Sequence, residues 1–318
     1  MPANRLLLCF ILLPLVFAAC GKAPPSSATL ERNALMQVVF PAWQDGKRNV
    51  ALAVADDSDQ KASATAASQP ATAQRWFTLD PDQVVRLAED RAVLITTGSE
   101  VDEHGASLAG HPSPGLISAY WFKRDGERWI ADGSQNEVDW IGFSGTPGKT
   151  QVVKLSANRF ALSAEPSSCW QGYCGTWFAL YELGAHKVTP LLKEEALASD
   201  NINAMSVDCE PVLKRPAGSV DQHEEEDATR HECYSVTGQW HIQAGKSGKD
   251  QPGDLVIDFL SRTEHLKTLK AAEEDEDGNV TSQALVASTI EHSKQRALYR
   301  YQNGSYKRVS GTNPVPSF

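Results

Sequence analysis

One short pattern returns four times in the last two thirds of the chain: an aromatic strand, a glycine turn and a second strand. It reads Tyr120-Trp121-Phe122 with Gly126 and Trp129, then Phe178-Ala179-Leu180-Tyr181 with Gly184 and Val188. Trp240-His241-Ile242 with Gly245 follows, and Tyr299-Arg300-Tyr301 with Gly304 and Tyr306 closes the series. The glycines lie 58, 61 and 59 residues apart. A hairpin of this kind cannot bury its own aromatic face, so such units must stack on one another to make a core. The pattern therefore predicts a mostly β chain of repeated antiparallel hairpins or small sheets, arranged either as a propeller-like stack or as a β-sandwich.

Other segments support the same reading. Val93-Leu94-Ile95-Thr96-Thr97 is β-branched, and Asp254 to Phe259 alternates after the Pro252-Gly253 turn. Val152-Val153-Lys154-Leu155 and Phe160-Ala161-Leu162 frame a further hairpin. Before residue 91 the texture differs. Thr29 is placed to cap a helix running to about Gln37, and Asn49 to Ala55 reads as a strand. Residues 56–74 are rich in Ala, Ser, Thr, Gln and Asp and offer little to bury, which predicts a flexible linker. Asp80-Pro81 has the chemistry of a helix start, with Asp as N-cap and Pro at the first position, for a short helix to Ala88. This gives an N-terminal segment at 29–90, with a minor helical content, and a β-rich domain of about four repeats at 91–318.

The chain begins with Arg5 and an apolar run from Leu6 to Phe17, followed by Ala18-Ala19-Cys20-Gly21. Such a run is too short to span a bilayer and matches the h-region of an export signal. Leu15-Val16-Phe17-Ala18-Ala19-Cys20 resembles the lipobox of bacterial lipoproteins, with Phe17 filling the apolar position usually held by Leu, Val or Ile. The resemblance covers about the first 22 residues. It implies a signal peptide at 1–19, a diacylglyceryl group on the Cys20 thiol, cleavage before Cys20 and acylation of the new amino terminus. Residues 20–28 then form a lipidated tether. Gly21 implies an outer-membrane destination, with the body on the periplasmic face.

Loss of the leader removes Arg5, so the net charge of −10 becomes −11 in a mature chain of 299 residues. An acidic chain without a basic stripe argues against nucleic acid. Cys9 leaves with the leader and Cys20 carries lipid, leaving Cys169, Cys174, Cys209 and Cys233. An even count in an oxidising compartment predicts two disulfides. Of three possible pairings the local ones are expected, Cys169–Cys174 and Cys209–Cys233.

No motif for chemistry is complete. Gly142 to Thr150 (Gly-Phe-Ser-Gly-Thr-Pro-Gly-Lys-Thr) has one residue too many for a phosphate loop and precedes a strand pattern; it also lacks the final Gly of a nucleophile elbow. Both failures favour a simple turn. His223-Glu224-Glu225-Glu226-Asp227 with His231-Glu232 holds metal-ligand types, but solvated charge is the expected reading. Glu273 to Val280 resembles half of an EF-hand loop, yet Ala284 stands where the bidentate Glu is required. No metal and no cofactor are expected.

Six tryptophans, at 121, 129, 140, 170, 177 and 240, have the faces to stack on sugars, although most sit on strand patterns that fill cores. Trp170 is the exception, because a tight Cys169–Cys174 loop holds it outward, and Tyr173 shares that loop. The expectation is a lipid-anchored envelope protein that binds a protein partner without catalysis, as an assembly factor or an inhibitor. The competing readings are an envelope glycan or lipid hydrolase, and a carbohydrate- or metal-binding module. The anchor is directly testable. Cys20→Ser is expected to abolish incorporation of labelled palmitate and to move the chain from the membrane pellet to the soluble fraction.

Overall fold

The computed structural model describes residues 24–55, 72–204, 208–225, 231–243, 250–277 and 280–316, so Cys20 and the expected leader lie outside it. The chain is mostly β, and the described strands pair only antiparallel. Its smaller sheet collects β1 (Ser26–Ser27), β2 (Asn49–Ala55), β3 (Thr72–Ala88), β4 (Arg91–Val101), β5 (Gly115–Asp125) and β6 (Arg128–Ile141), in the order β1-β6-β5-β4-β3-β2. Helix α1 (Arg32–Val39) lies between β1 and β2 in the chain.

The larger sheet starts with β7 (Lys149–Lys154), β8 (Phe160–Glu165), β9 (Ser167–Trp170), β10 (Tyr173–Leu183) and β11 (Val188–Asp200). After α2 (Cys209–Leu213) it adds β12 (Val220–Glu225), β13 (Tyr234–Gln243) and β14 (Asp254–Lys270). A separate ribbon, β15 (Glu273–Glu274) with β16 (Val280–Ser282), precedes β17 (Ala284–Gln302) and β18 (Ser305–Gly311). The path runs β12-β17-β14-β13-β11-β10-β8-β7, with β9 beside β10 and β18 beside β17.

Strands β4 and β5 explain how the layers form. Every residue from Ala92 to Thr96 and from Gly115 to Phe122 is buried. Continuous burial requires cover on both faces of the sheet, and alternation divides the work. Leu94, Leu116, Tyr120 and Phe122 join Leu35, Met36 and Val38 of α1 in one core. Val93, Ile95, Ile117, Ala119 and Trp121 pack instead against Leu162, Ala164, Ala179, Tyr181 and Val188 of the larger sheet. Polar groups tie the same interface: the Trp121 indole donates to the Gly184 carbonyl at 2.9 Å and the Tyr181 hydroxyl to Asp139 at 2.7 Å. Burial, then the charge of Asp139, raises the Tyr181 pKa, so the phenol stays a donor.

The opposite face of the larger sheet carries a third core, with Ala161, Phe178, Leu180, Leu197, Ile257, Phe259, Tyr299 and Tyr306. These residues come from both halves of the sheet, which curls until the halves face each other. Ties across the curl include Gly253 N–H to the Leu155 carbonyl at 2.8 Å, Arg159 to the Tyr301 hydroxyl at 2.9 Å and Asn313 to the Ala196 carbonyl at 2.8 Å. The result is a stack of helix, small sheet and curled large sheet, sandwich-like and, among the described residues, without a closed barrel.

Three of the four glycine-turn hairpins form: β5–β6 around Gly126, β10–β11 around Gly184 and β17–β18 around Gly304. The fourth joins β13 to β14, and Gly245 itself lies outside the described residues. They do not make four small sheets. β13 pairs with β11 and β14 pairs with β17, so three hairpins merge into one sheet and the propeller-like alternative falls away.

The helix expected at 80–88 is strand instead. Asp80 caps nothing and forms an ion pair with Arg48. Strand β2 pairs with β3 only as far as Thr78, leaving one edge of β3 open beyond that point. A proline costs little on an open edge, where its missing N–H has no ladder partner to lose. Arg32 of α1 satisfies that edge from outside, donating to the Pro81 and Asp82 carbonyls at 3.4 and 2.9 Å. Residues 72–74, placed in the expected linker, also belong to β3, while 56–71 lie outside the described residues. Position 90 is thus a hairpin turn within one sheet and no boundary. Glu31 stands at the N-cap of α1 in place of Thr29, and Ser26 and Ser27 of the expected tether pair with Ile130 and Trp129.

Two stability measurements check this account. Pro81→Ala is expected to change unfolding free energy by less than about 1 kcal/mol in urea, whereas Ile95→Pro, on the doubly buried β4, prevents folding. Replacing both Cys209 and Cys233 by Ala is expected to cost about 3 kcal/mol, from the loop that their bridge closes over a sequence separation of 24.

Candidate recognition tip

Both expected disulfides are present, Cys169–Cys174 and Cys209–Cys233. The first is a cross-strand bridge. Cys169 of β9 stands opposite Cys174 of β10, and Trp170 opposite Tyr173. The two residues between them, Gln171 and Gly172, have φ of 51° and 85°. Two left-handed residues in succession make the hairpin turn whose twist matches its strands. Gly172 is required for a second reason: a Cβ there would stand 2.0 Å from the Asn203 carbonyl oxygen.

Trp170 is 65% exposed, more than any other large apolar side chain described. Its ring packs on His111 at a centroid distance of 5.5 Å, and His111 lies 3.2 Å from the Ser168 hydroxyl. Behind them Phe143 approaches His111 at 6.3 Å and Trp177 at 5.3 Å. The tryptophan is therefore the outer member of an aromatic group whose inner members are held by the fold.

Two loops supply that group. Gly142 to Thr150, the segment with failed phosphate-loop spacing, forms a turn in which Phe143 and Thr146 exchange backbone hydrogen bonds at 3.1 and 3.0 Å, and then enters β7. The Ser144 and Gly145 amides donate to the carbonyls of His111 and Ser113, which locks this turn to the preceding loop. The base of that loop is organised by Asp102, whose carboxylate accepts from the Ala106 and His104 amides at 2.8 and 2.9 Å. Those bonds, Ala106 first, hold the Asp102 pKa below its usual value. Leu108, on the same loop, is 58% exposed.

The second disulfide braces the tip from below. Cys174 pairs with Asp200 in β11, and the chain then runs through Asn201 to the Asn203 carbonyl that underlies Gly172. Asn201 is buried; its side chain donates to the Glu232 carbonyl at 2.9 Å and accepts from the Tyr234 amide at 2.8 Å. These partners flank Cys233. Tyr173 packs edge-on against His231 at 6.2 Å. Both bridges thus stiffen one end of the molecule. Neither a family model nor a curated protein nor a solved structure matches this chain.

The remaining sequence candidates do not assemble a site. Residues 220–225 form strand β12 along β17, where His223 lies 3.3 Å from Glu225, and 226–230 lie outside the described residues. Among the described residues no three His, Cys, Asp or Glu side chains are placed to hold a metal ion. Glu273 pairs with Lys270 at 3.1 Å at the start of a ribbon, and Gly278 and Asn279 lie outside the described residues. Trp121 and Trp129 are buried, and the Trp240 indole donates to Glu165 at 2.7 Å. Glu165 and Trp240 line a cleft of about 610 Å³ with Gln151, Lys154 and His241, and Glu165 is the one carboxylate among the described residues that line it. Glycoside cleavage uses a pair of carboxyl groups, so this cleft lacks that arrangement among its described lining. His111 and Phe143 carried no local signal beyond the turn glycines around Phe143.

The tip separates stability from surface chemistry. Trp170→Ala is expected to leave the unfolding free energy within about 0.5 kcal/mol. Gly172→Ala, facing both a left-handed backbone and the Asn203 carbonyl, is expected to lose about 2 kcal/mol or more. Urea titration of the two variants distinguishes them.

Proposed function

We propose that this chain is a lipid-anchored envelope protein that binds a protein partner through the Trp170 tip and does no chemistry of its own. The observation that carries the proposal is the exposed Trp170, held on a disulfide-locked turn and backed by His111, Phe143 and Trp177. A rigid aromatic anchor loses little conformational entropy on binding, and tryptophan is enriched among residues that dominate interface energies. The lipobox supports the anchored address. From Cys20 to Ser26, where the body begins, the chain reaches at most about 20 Å, so the body stays near the membrane surface in this reading. Exposed carboxylates on Glu224 and on Glu273 to Asp277 favour a partner with a basic surface and contribute steering more than affinity.

The test is crosslinking capture from native envelopes, comparing the lipidated protein with its Trp170→Ala variant. One stoichiometric protein partner is expected, recovered at least tenfold less with the variant while both proteins show the same thermal midpoint. Equal recovery with both proteins would exclude the tip as the binding surface. Recovery of lipid alone would remove the partner from the account.

A further inference from the structure

Across the middle of the curled sheet, register brings together side chains that are far apart in the chain. Ser235 of β13, Arg262 of β14 and His292 of β17 stand directly opposite one another. Two residues along, Thr237, Leu260 and Lys294 do the same. Alternation places all six on one face, the one opposite the Phe259 and Ile257 core. They line a cavity of about 470 Å³, to which Ser261 and Ser293 also contribute.

The charges in this cavity are unbalanced. Further along the same face of β17, Arg296 and Arg300 are neutralised by Asp258 at 2.6 Å and Asp254 at 3.3 Å. Arg262, His292 and Lys294 have no such partner: among the described residues no carboxylate lies within 4.0 Å of any of them. In a chain of net charge −10, a guanidinium and an ammonium gathered without carboxylates mark a place where negative charge is supplied from outside. Hydroxyls complete the set, with Ser235 and Thr237 on the side of the cavity away from His292 and Lys294.

We infer that this cavity binds a small phosphoryl-bearing anion. A guanidinium meets two phosphoryl oxygens with a planar fork, an ammonium supplies a point charge, and Ser and Thr hydroxyls donate to the remaining oxygen. Leu260, 51% exposed between Thr237 and Lys294, offers an apolar seat for the group that the phosphate esterifies. The concave shape suits a soluble ligand better than a flat lipid surface. This site is separate from the Trp170 tip and stands or falls without it.

Equilibrium dialysis of radiolabelled inorganic phosphate against the mature full-length protein at low salt and neutral pH tests the inference. Saturable binding of one phosphate per chain is expected. Arg262→Gln with Lys294→Gln is expected to weaken it at least tenfold with an unchanged thermal midpoint, because neither side chain has an ion-pair or hydrogen-bond partner among the described residues. Lys149→Gln with Lys187→Gln removes the same charge elsewhere and is expected to change affinity less than twofold. Absence of saturable uptake by the unsubstituted protein overturns the inference, as does an equal loss in the charge-matched variant. Binding to phosphatidylcholine vesicles containing phosphatidylglycerol, without uptake of free phosphate, also overturns it in favour of a membrane contact.

Discussion

The joint between the two sheets is the constraint on which the rest of the molecule depends. Trp121 buries its ring among Val93, Ile95 and Tyr181, and its indole N–H finds the Gly184 carbonyl in the turn of the following hairpin. A buried indole without a partner costs free energy comparable to a lost hydrogen bond. The turn at Gly184 therefore has to sit where Trp121 can reach it. Val188, just after that turn, donates its amide to Gln135 of the smaller sheet at 3.0 Å. Lys193 reaches Asp139 at 2.8 Å beside the Tyr181 hydroxyl. One apolar layer with polar ties at its margin thereby fixes how the large sheet is laid on the small one.

That placement in turn makes the tip. β10 crosses from the inter-sheet core, through Ala179 and Tyr181, to the bridge at Cys174. Near its outer end Trp177 meets Phe143, which belongs to the connection from the small sheet to the large one. The small sheet also lends His111, from the loop between β4 and β5. Hence the aromatic group under Trp170 is assembled from both sheets and requires their joint. A cysteine bridge over so short a loop contributes only about 2 kcal/mol by loop entropy; its larger effect is to hold one hairpin geometry.

Legibility from sequence followed the range of the interactions. β4 and β5 were readable because double burial leaves nearly unbroken apolar runs, Ala92 to Ile95 and Leu116 to Phe122, interrupted only by Ser118. The disulfides were readable because four cysteines in two pairs, each close in sequence, leave few economical solutions. Trp170 was readable for the same local reason. Asp80-Pro81 misled because its helix-start chemistry is real but local, and the open edge of β3 with Arg32 alongside outweighs it. The four-repeat pattern found the hairpins but not their merging, since pairing of β13 with β11 and of β14 with β17 is set by distant register. His111 and the Ser235–Arg262–His292 row were invisible for that reason too. The row's members lie 27 and 30 residues apart and look singly like ordinary polar strand positions.

An exposed tryptophan on such a scaffold has a cost that bears on its meaning. A Trp side chain carries roughly 250 Å² of mostly apolar surface, and about two thirds of it here faces water. At about 25 cal/mol per Å² the fold forgoes roughly 4 kcal/mol of burial. The arrangement around it nevertheless prevents collapse onto the body: the left-handed turn, the cross-strand bridge and the Asn203 carbonyl under Gly172 fix the hairpin, while His111 fills the inner side. Nothing in that scaffold requires tryptophan at position 170, where a polar residue would avoid the cost. Holding it out at that cost, with constraints from two disulfides and three loops, supports the proposal of a surface completed by a partner that buries the same area.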